Sequence, residues 1–322
     1  MKILIVKLSS LGDVVHAMPA VQDIRAALPQ ARIDWVVERG FAPLVLRCEG
    51  VQEVVACELR RWRKAPLAQE TRQQWRAFRD TLRSREYDAV IDLQGLTKSA
   101  LVSRVARLAR GGKRYALANQ TEGSSYEAPT RWMADVAVRI EPRIHAVARS
   151  RELCARSLGY AVPAPLRFGL RAHASESVRE RTVCFVHGTS RADKCWPETH
   201  WLALGRRLID DGFAIGLPHG SDEERERSER LARGLGAMAQ VWPRLDLGAL
   251  TDRLAGCAAV IGVDSGLSHI GAALDLPHVQ IYNFDTAWRT APVDTERQRA
   301  VFAQPVPALA QVLDAWQQVR PA

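Results

Sequence analysis

Residues 2–28, KILIVKLSSLGDVVHAMPAVQDIRAAL, decide the fold class of this chain. The run at 2–8 is short and apolar, as is typical of a strand buried on both faces of a parallel sheet. Residues 19–28 then carry apolar side chains at helical spacing, and Pro19 favours the first turn of a helix. We therefore expect a strand, a looser turn from Gly12 and a helix that begins at Pro19, which together open an α/β domain.

The same alternation of strand and helix runs through the rest of the chain, with one interruption. The first half is predicted to form strands at 33–38, 53–58 and 88–93 and helices at 69–85, 97–108 and 149–158. The second half is predicted to form strands at 182–186, 213–217, 260–263 and 279–282 and helices at 200–210, 223–233, 247–254, 267–274 and 309–319. Alternation of this kind predicts a doubly wound parallel sheet in each half.

The interruption lies at 161–174, AVPAPLRFGLRAHA, which contains two prolines and no long periodic pattern. We place the interdomain linker there, between an N-terminal domain at 1–165 and a C-terminal domain at 175–322. A chain of 322 residues suits two domains of this size. The predicted fold is α/β, with two doubly wound Rossmann-like domains that face a central cleft and bind ligands at the carboxyl ends of their strands.

The positive charge of the chain is concentrated in its first half. Residues 1–170 contain 28 Lys and Arg against 17 Asp and Glu, a net charge of +11, whereas residues 171–322 contain 17 against 19. This asymmetry favours an anionic partner for the N-terminal domain, which could be a nucleic acid, a phosphorylated lipid or an acidic sugar.

Signals for membrane insertion, export and metal binding are absent from the sequence. No apolar run approaches the roughly 18 residues that span a bilayer. The apolar N-terminus ends at Lys7, too early for the core of a secretory signal, so we expect a cytoplasmic protein. The six cysteines are scattered, without a C-x-x-C pair or a His at zinc spacing, so we expect reduced thiols and no metal site.

A loop with catalytic potential, KLSSLGD at 7–13, follows the first predicted strand. Gly12 would let its backbone approach a ligand closely, but the loop has neither G-x-G-x-x-G nor Walker A spacing, which disfavours nicotinamide and ATPase functions. Asp13 has two interpretations: an acid in the first turn of a helix, or a general base that takes a proton from an acceptor hydroxyl. Such a base typically contributes on the order of 10²–10⁴ in rate.

Two loops of the second half suit an anionic ligand. In VDSGLSH at 263–269, the backbone N–H groups of Ser265 and Gly266 would point at an anion, which the helix dipole also favours. In GTSRADKCWP at 188–197, hydroxyls and Lys194 could hold phosphate oxygens. Because both loops follow strands of one domain that is not basic, we favour a single defined phosphate ligand such as a diphosphate. The alternatives are an N-cap serine with a core histidine, and a solvated lysine.

A basic cluster, RRWRK at 60–64, lies in the first half. Its four cations repel one another unless an anion meets them, which favours an acidic ligand. Four more arginines follow at helical spacing and form either a solvated helix face or a surface that docks on a membrane. They are Arg72, Arg76, Arg79 and Arg83.

Seven segments, in order along nearly the whole chain, carry a resemblance to a known family. They are KLSSLGDVVHAMPA at 7–20, DWVVERGF at 34–41, RRWRK at 60–64, YDAVIDLQGLTKSA at 87–100, HAVARSRELCARSLGY at 145–160, TSRADKCWPETHW at 189–201 and VDSGLSHIGAALDLP at 263–277. In these segments the chain resembles the lipopolysaccharide heptosyltransferase I family.

The resemblance implies a GT-B fold and an inverting glycosyltransferase that requires neither a metal nor a cofactor. The implied reaction transfers the first L-glycero-D-manno-heptose from ADP-heptose, in the C-terminal domain, to Kdo2-lipid A, in the N-terminal domain, during lipopolysaccharide inner-core biosynthesis. The implied location is the cytoplasmic face of the inner membrane, with peripheral attachment and no nucleic-acid partner. The alternatives are heptosyltransferase II or III at a later core step and, from another class, a non-catalytic module that binds nucleotides or polyanions.

The resemblance also implies a role for each matched residue. Asp13 is the expected catalytic base. The expected acceptor-binding residues are Lys7, Ser9 and Ser10 in the cleft, and Arg60, Arg61, Arg63 and Lys64 at acceptor phosphates or carboxylates. The expected donor-binding residues are Thr189, Ser190, Lys194, Ser265 and Gly266 at the diphosphate, Asp264 at heptose hydroxyls, Glu224 at the ribose and His269 near the phosphates.

Two segments depart from the family pattern. QTEG at 120–123 stands where the family usually has an Arg-Glu-Pro stretch, which removes an expected arginine contact. NFDT at 283–286 replaces the usual Gly-Pro-Thr-Asp, so the sequence assigns no role to that loop.

Overall fold

The computed structural model describes residues 1–173, 181–293 and 296–321. The chain divides into two compact units, Met1–Leu170 and Arg171–Ala322. The division falls within the segment at 161–174 that the sequence predicts as the linker. The last residue of that linker and the first residues of the predicted C-terminal domain, together 174–180, lie outside the described residues.

The first unit is built on a six-stranded parallel sheet, in the order β3-β2-β1-β4-β5-β6. Its strands are β1 (Lys2–Val6), β2 (Arg32–Glu38), β3 (Val51–Cys57), β4 (Glu86–Asp92), β5 (Arg107–Leu117) and β6 (Val136–Val138). Its helices are α1 (Leu11–Ala27), α2 (Ala42–Val45), α3 (Leu59–Trp62), α4 (Gln69–Arg83), α5 (Thr97–Val105), α6 (Pro129–Met133) and α7 (Ala146–Leu158).

Helices cover the central strands of this sheet, which explains why those strands are apolar. Leu4 and Val6 of β1 are fully buried, in one apolar cluster with Trp62, Phe78 and Leu82 from α3 and α4. Helix α1 packs against α7. Removing this apolar surface from water is the main favourable contribution to folding. The strand order reverses between β1 and β4, so the loops after these two strands lie at the switch point, where doubly wound sheets bind ligands.

The second unit repeats the plan with the strand order β12-β11-β10-β7-β8-β9, again all parallel. Its strands are β7 (Thr182–Val186), β8 (Ala214–Leu217), β9 (Ala239–Val241), β10 (Ala259–Val263), β11 (His278–Tyr282) and β12 (Gln298–Phe302). Its helices are α8 (Glu198–Asp210), α9 (Asp222–Leu235), α10 (Leu247–Ala255), α11 (Gly266–Ala273), α12 (Ala287–Thr290) and α13 (Leu309–Val319).

The core of the second unit is aromatic. The rings of Phe185 and Trp201 pack at a tilt of 47° with their centroids 4.8 Å apart, and Phe213 meets Trp316 edge to face at 5.4 Å. All four side chains are almost completely buried, and such pairs add to the stability gained from burial alone. The strand order of this unit reverses between β7 and β10, which places the loops after these strands at its switch point. The predicted α/β fold with two doubly wound sheets is confirmed.

The predicted start of the first helix was wrong by about two turns. Helix α1 begins at Leu11, and Pro19 lies inside it and is buried. The backbone N–H and the Oγ–H of Ser10 both donate to the carboxylate of Asp13, at 3.2 and 2.9 Å, which closes the first turn. A polar residue followed three positions later by an acid is a starting signal that outweighs a proline farther along the chain.

The predicted helix at 97–108 was too long, and the strand that follows it was not predicted. Helix α5 ends at Val105, and β5 begins at Arg107. The sequence of β5 is basic and contains a Gly-Gly pair, and neither feature is typical of a buried strand. A Cβ on Gly112 would lie 2.6 Å from the carbonyl oxygen of Tyr87, so the close approach of β5 to β4 requires glycine there. The short strands β6, β9 and β12 were likewise not predicted.

Candidate active site

The loop after β1 is fixed by contacts with the loop after β4. The side chain of Lys7 is 1% exposed, and its Nζ donates to the carbonyl oxygen of Leu93 at 3.2 Å. The Oε1 atom of Gln94 accepts from the backbone N–H groups of Leu8 and Ser9, both at 3.1 Å. The two loops therefore form one rigid surface at the switch point of the first sheet.

Asp13 stands at this surface with one side in a cationic pocket and the other open to solvent. Its Oδ1 atom lies 3.5 Å from Nζ of Lys7 and 3.5 Å from Nη2 of Arg149, while Oδ2 accepts from Ser10. Its side chain is 32% exposed, whereas both cations are buried. The carboxylate is therefore oriented by three neighbours and still accessible to a ligand.

Opposing effects set the pKa of Asp13. Burial alone would raise that pKa, but the charges of Lys7 and Arg149 and the hydrogen bond from Ser10 outweigh it and hold the pKa well below its usual range. Burial lowers the pKa of Lys7, against the opposing charge of Asp13. Asp13 is thus ionised at neutral pH and can accept a hydrogen bond, and then a proton, from an attacking hydroxyl.

Three residues of this site were missed by sequence reasoning: Asp92, Gln94 and Arg149. Asp92, at the end of β4, accepts from the backbone N–H of Gln94 at 2.8 Å and from Oγ of Ser99 at 2.9 Å. Burial raises its pKa to about 6, against these hydrogen bonds. The Nη1 atom of Arg149 donates to Oγ1 of Thr121 at 3.1 Å, so a residue of the segment that departs from the family pattern positions this guanidinium. Periodicity cannot reveal a buried arginine in a helix.

The predicted acceptor cluster lies on and just after α3, at the carboxyl end of β3. Arg61 forms ion pairs with Glu58 at 3.5 Å and with Glu70 at 3.0 Å, so part of the repulsion between the cations is offset inside the protein. The backbone N–H of Arg60 donates to Glu38 at 3.3 Å. Arg60, Arg61, Arg63 and Lys64 are all exposed. The structure therefore leaves the cluster open to an anion but weakens the argument from repulsion.

In the second unit, the residues predicted to bind a donor converge on Asp264, directly after β10. Its Oδ2 atom accepts from Nζ of Lys194 at 2.5 Å, and its Oδ1 lies 3.5 Å from Nε2 of His269. The Oγ1 of Thr189 donates to the backbone carbonyl of Asp264 at 3.2 Å. Burial would raise the pKa of Asp264, but His269 and Lys194 outweigh it and hold that pKa well below its usual range. Loops after β7 and β10 thus form one charged cluster.

Helix α11 presents its N-terminus beside this cluster. Ser265 caps the helix with an extended backbone, φ −150° and ψ 161°, rather than with a side-chain bond, and Gly266 is the first helical residue. The Oγ of Ser268 instead donates to the carbonyl oxygen of Val263 at 2.6 Å. The first N–H groups of a helix left without side-chain caps suit an anion such as phosphate.

Glu224 and Ser190 complete the predicted donor set. The Oε2 atom of Glu224 accepts from the backbone N–H of Gly220 at 2.7 Å. A Cβ on Gly188 would lie 2.5 Å from Oε1 of Glu224, so Glu224 packs directly against the start of the loop that carries Thr189 and Lys194. Ser190 is exposed in that same loop. Glycine at 188 is what lets the two segments meet.

A positioning residue comes from the loop to which the sequence assigned no role. The Nδ2 atom of Asn283, after β11, donates to the carbonyl oxygens of Asp193 at 3.2 Å and Cys195 at 3.0 Å. These two residues flank Lys194. Asn283 therefore fixes the backbone on both sides of the lysine, a role that depends on the pairing of β10 with β11 and so is invisible in the sequence.

Similarity to other proteins identifies the family. Residues 75–311 match the sequence profile of glycosyltransferase family 9 (heptosyltransferase). The chain belongs to glycosyltransferase family 9. As a family 9 protein it is a glycosyltransferase of the heptosyltransferase type, which confirms the predicted family and enzyme class.

Among its family 9 relatives, the chain is more similar to type 1 heptosyltransferases than to type 2. It is 40% identical over 287 residues to lipopolysaccharide heptosyltransferase 1 of Escherichia coli K12, covering 88% of each chain. It is 40% identical over 291 residues to the Pseudomonas aeruginosa PAO1 heptosyltransferase 1, covering 88% of this chain and 78% of that one. Lipopolysaccharide heptosyltransferase 2 of E. coli K12 is 27% identical over 317 residues. The predicted resemblance to type 1 is confirmed.

A solved family 9 structure shares the fold over almost the whole chain. The structure of E. coli heptosyltransferase WaaC with ADP matches with a TM-score of 0.87, at 37% identity and 98% coverage of both chains. The same enzyme with ADP-2-deoxy-2-fluoro heptose matches with a TM-score of 0.82, covering 99% of this chain and 98% of that one.

The described residues of this family 9 chain offer neither a metal-binding cluster nor a membrane-spanning helix. Within residues 1–173, 181–293 and 296–321, no three His, Cys, Asp or Glu side chains are grouped so that they could hold a metal ion. Over the same ranges, no helix has the length and apolar character needed to cross a bilayer.

Proposed function

We propose that this family 9 enzyme transfers the first L-glycero-D-manno-heptose from ADP-heptose to Kdo2-lipid A, with inversion at the anomeric carbon. The single observation that carries the proposal is the Asp264 cluster, which brings an ammonium, an imidazole, a hydroxyl and a helix N-terminus to one sheet edge. That combination suits a sugar joined to a diphosphate. The greater identity to type 1 than to type 2 heptosyltransferases supports the first-heptose step.

For the donor, we assign the diphosphate to Lys194, Thr189, Ser190 and the N-terminus of α11 at Ser265 and Gly266. The Lys194 ammonium has three donors, so it can hold a phosphate oxygen while it keeps Asp264. His269 lies near the same phosphates, Asp264 accepts from heptose hydroxyls and Glu224 accepts from the ribose. Donors aimed at the departing diphosphate stabilise the negative charge that develops as the glycosidic bond breaks.

For the acceptor, we assign Asp13 as the base. The acceptor hydroxyl oxygen bonds to the anomeric carbon, the bond from that carbon to the diphosphate breaks, and the hydroxyl proton passes to Asp13 while ADP departs. Lys7 and Arg149 hold the carboxylate in place, and Ser9 and Ser10 line the same loop. Because Asp13 is a weak base, we expect proton transfer late in the step, when the attacking oxygen has become acidic.

The charge of the first unit suits an acidic glycolipid and a peripheral position on the cytoplasmic face of the inner membrane. We assign Arg60, Arg61, Arg63 and Lys64 to phosphates or carboxylates of the acceptor. The net +11 of residues 1–170 attracts such a ligand over a distance, whereas the second unit needs only a few placed donors for one diphosphate.

The test mixes the purified protein with ADP-heptose and Kdo2-lipid A and follows the mass of the acceptor. The expected result is a gain of one heptose, and Asp13→Asn should lower the rate by a factor on the order of 10² or more while donor affinity stays unchanged. Full turnover by Asp13→Asn would show that Asp13 is not the catalytic base. Donor binding without transfer to Kdo2-lipid A would instead indicate the later step of a type II or III enzyme, and binding without turnover on any core acceptor would indicate a non-catalytic module.

A further inference from the structure

The first unit contains an apolar pocket of about 380 Å³ between α3, α4 and α5. This size is within the range of small-ligand sites, and the lining is almost wholly apolar. The apolar lining residues are Leu59, Trp62, Pro66, Trp75, Leu101 and Val102. None of them has a part in the donor and acceptor chemistry assigned above, so the pocket requires its own explanation.

The walls of the pocket are held in place before any ligand binds. The rings of Trp62 and Trp75 meet edge to face with centroids 5.7 Å apart, and Phe78 packs against both. The Nε1–H of Trp62 donates to Gln74 at 2.9 Å. With its polar atom satisfied, the Trp62 indole presents only apolar surface to the pocket. A pocket with these packed, apolar walls favours an apolar chain over a polar ligand.

Three cations also line this apolar pocket. Arg63, Arg72 and Lys98 contribute to the lining together with the apolar residues. Of the lining residues, Leu101 is 55% exposed, and Leu67, which follows the lining residue Pro66 in the chain, is 78% exposed. An apolar cavity with cations in its lining matches a ligand that has an apolar chain and an anionic head.

The charged face extends beyond the pocket, which indicates an extended surface rather than one small ligand. Arg76, Arg79 and Arg83 follow Arg72 at spacings of four, three and four residues along α4, so all four arginines form one exposed stripe. A single headgroup cannot meet a stripe of that length. An anionic bilayer can, and each basic residue near such a surface strengthens binding about fivefold.

We propose that the first unit docks on an anionic phospholipid bilayer through the α3–α4–α5 face, with one phospholipid acyl chain seated in the pocket and lipid phosphates on the arginine stripe. Leu67 and Leu101 enter the interface beside the chain. This inference rests on the proposed peripheral association, and it is independent of which heptose is transferred.

The first test measures binding to vesicles of equal parts phosphatidylglycerol and phosphatidylcholine by sedimentation. Leu101→Asp and Arg72→Glu should each lower the partition coefficient about tenfold. The first removes apolar area that would be buried in the bilayer, and the second reverses a charge that faces the lipid phosphates. Leu46→Asp and Arg110→Glu are the matched controls. Leu46 is an exposed leucine outside this face, and Arg110→Glu changes the net charge equally on β5. Both controls should bind within about twofold of the wild type.

The second test asks whether a chain occupies the pocket, using the same vesicles with brominated acyl chains that quench nearby indoles. Quenching should fall in Trp75→Phe and stay unchanged in Trp132→Phe, since Trp132 is an exposed tryptophan on α6. Wild-type vesicle binding by both Leu101→Asp and Arg72→Glu, or equal quenching in Trp75→Phe and the wild type, overturns the proposal. So does an effect of Leu101→Asp confined to the KM of an acylated acceptor, because the pocket would then hold the acceptor.

Turnover on a fully deacylated acceptor in solution separates this inference from the proposed function. Leu101→Asp should keep that turnover while it loses vesicle binding. Absence of turnover in the wild type counts against the proposed function and leaves the vesicle result standing.

Discussion

At the scale of single residues, Asp13, the proposed base, has its charge fixed by its surroundings. The carboxylate is partly buried, which alone would favour the protonated form, yet two buried cations keep it ionised. The two cations make the Asp13 carboxylate a weaker base, but they also hold it in a fixed orientation. In the proposed reaction the acceptor hydroxyl becomes acidic only as it bonds to the anomeric carbon, so a weak but well-placed base suffices.

Arg149 is the partner whose removal tests this account. Arg149→Gln should raise the pKa of Asp13, because one of the positive charges that depress it is lost. The acid limb of kcat/KM should therefore move to higher pH, and kcat/KM at neutral pH should fall about tenfold, equivalent to ~1.4 kcal/mol of lost positioning. The measurement is a pH–rate profile of both proteins on the same acceptor.

Arg156→Gln is the control for that profile. Arg156 lies on the same helix, α7, and forms an exposed pair with Glu152, away from Asp13. Its substitution should leave the profile in place. An Arg149→Gln profile that overlies that of the wild type would mean that Arg149 serves only the fold.

At the scale of elements, the sequence predicts eight strands of the described residues and misses β5, β6, β9 and β12. An apolar run indicates a buried parallel strand, so β1, β4 and β10 were predicted. The loops after β1 and β10, which lead to Asp13 and Asp264, were predicted with them. The basic strand β5 was not, because its position depends on glycine at 112 beside β4. Arg149, Gln94 and Asn283 were missed for the same reason: their partners come from other elements, and no local pattern records such contacts.

The loop after β11 provides a prediction at this scale. Asn283→Ala removes two hydrogen bonds to the backbone on either side of Lys194. We expect the donor KM to rise about tenfold, which corresponds to ~1.4 kcal/mol, with a smaller effect on the acceptor KM. Steady-state kinetics with each substrate varied in turn would measure both. Equal changes in the two KM values would show that the loop is not specific to the donor.

Strand β11 supplies a prediction about stability. His278 is fully buried, and burial lowers its pKa to about 3. In the unfolded chain this histidine has a pKa near 6.5, so as the pH falls the unfolded state binds a proton before the folded state does. The free energy of unfolding is therefore unaffected by this histidine above about pH 6.5 and declines between pH 6.5 and pH 3. At pH 5 the loss from this histidine is about 2 kcal/mol.

Urea unfolding of the wild type and of His278→Leu, at pH 7 and pH 5, tests that decline. Leucine cannot titrate, so the variant should lose about 2 kcal/mol less than the wild type between the two pH values. His187, whose pKa is lowered by burial to about 4, should continue to contribute its own dependence in both proteins. If the free energy of unfolding changed equally with pH in the two proteins, His278 would not be a source of the decline.

At the scale of the whole molecule, the two units differ more in charge than in architecture. Both are six-stranded doubly wound sheets, yet residues 1–170 carry a net +11 and the remainder is slightly acidic. We propose that the same architecture serves a different kind of recognition in each unit. In the proposed function, the first unit attracts an extended anionic partner through many exposed cations, and the second unit holds one diphosphate through a few oriented groups.

This division predicts unequal sensitivity to salt. Exposed cations are screened within a Debye length of about 8 Å at physiological ionic strength, whereas the Lys194–Asp264 pair is largely buried and screened less. Raising the salt concentration should therefore increase the KM of a soluble, deacylated acceptor several-fold and that of ADP-heptose by less than about twofold. Arg63→Gln should reduce the salt dependence of the acceptor KM, because it removes one exposed cation. Parallel increases in both KM values would place the acidic ligand on the second unit as well, and no increase in either would show that the excess charge of the first unit does not bind the acceptor.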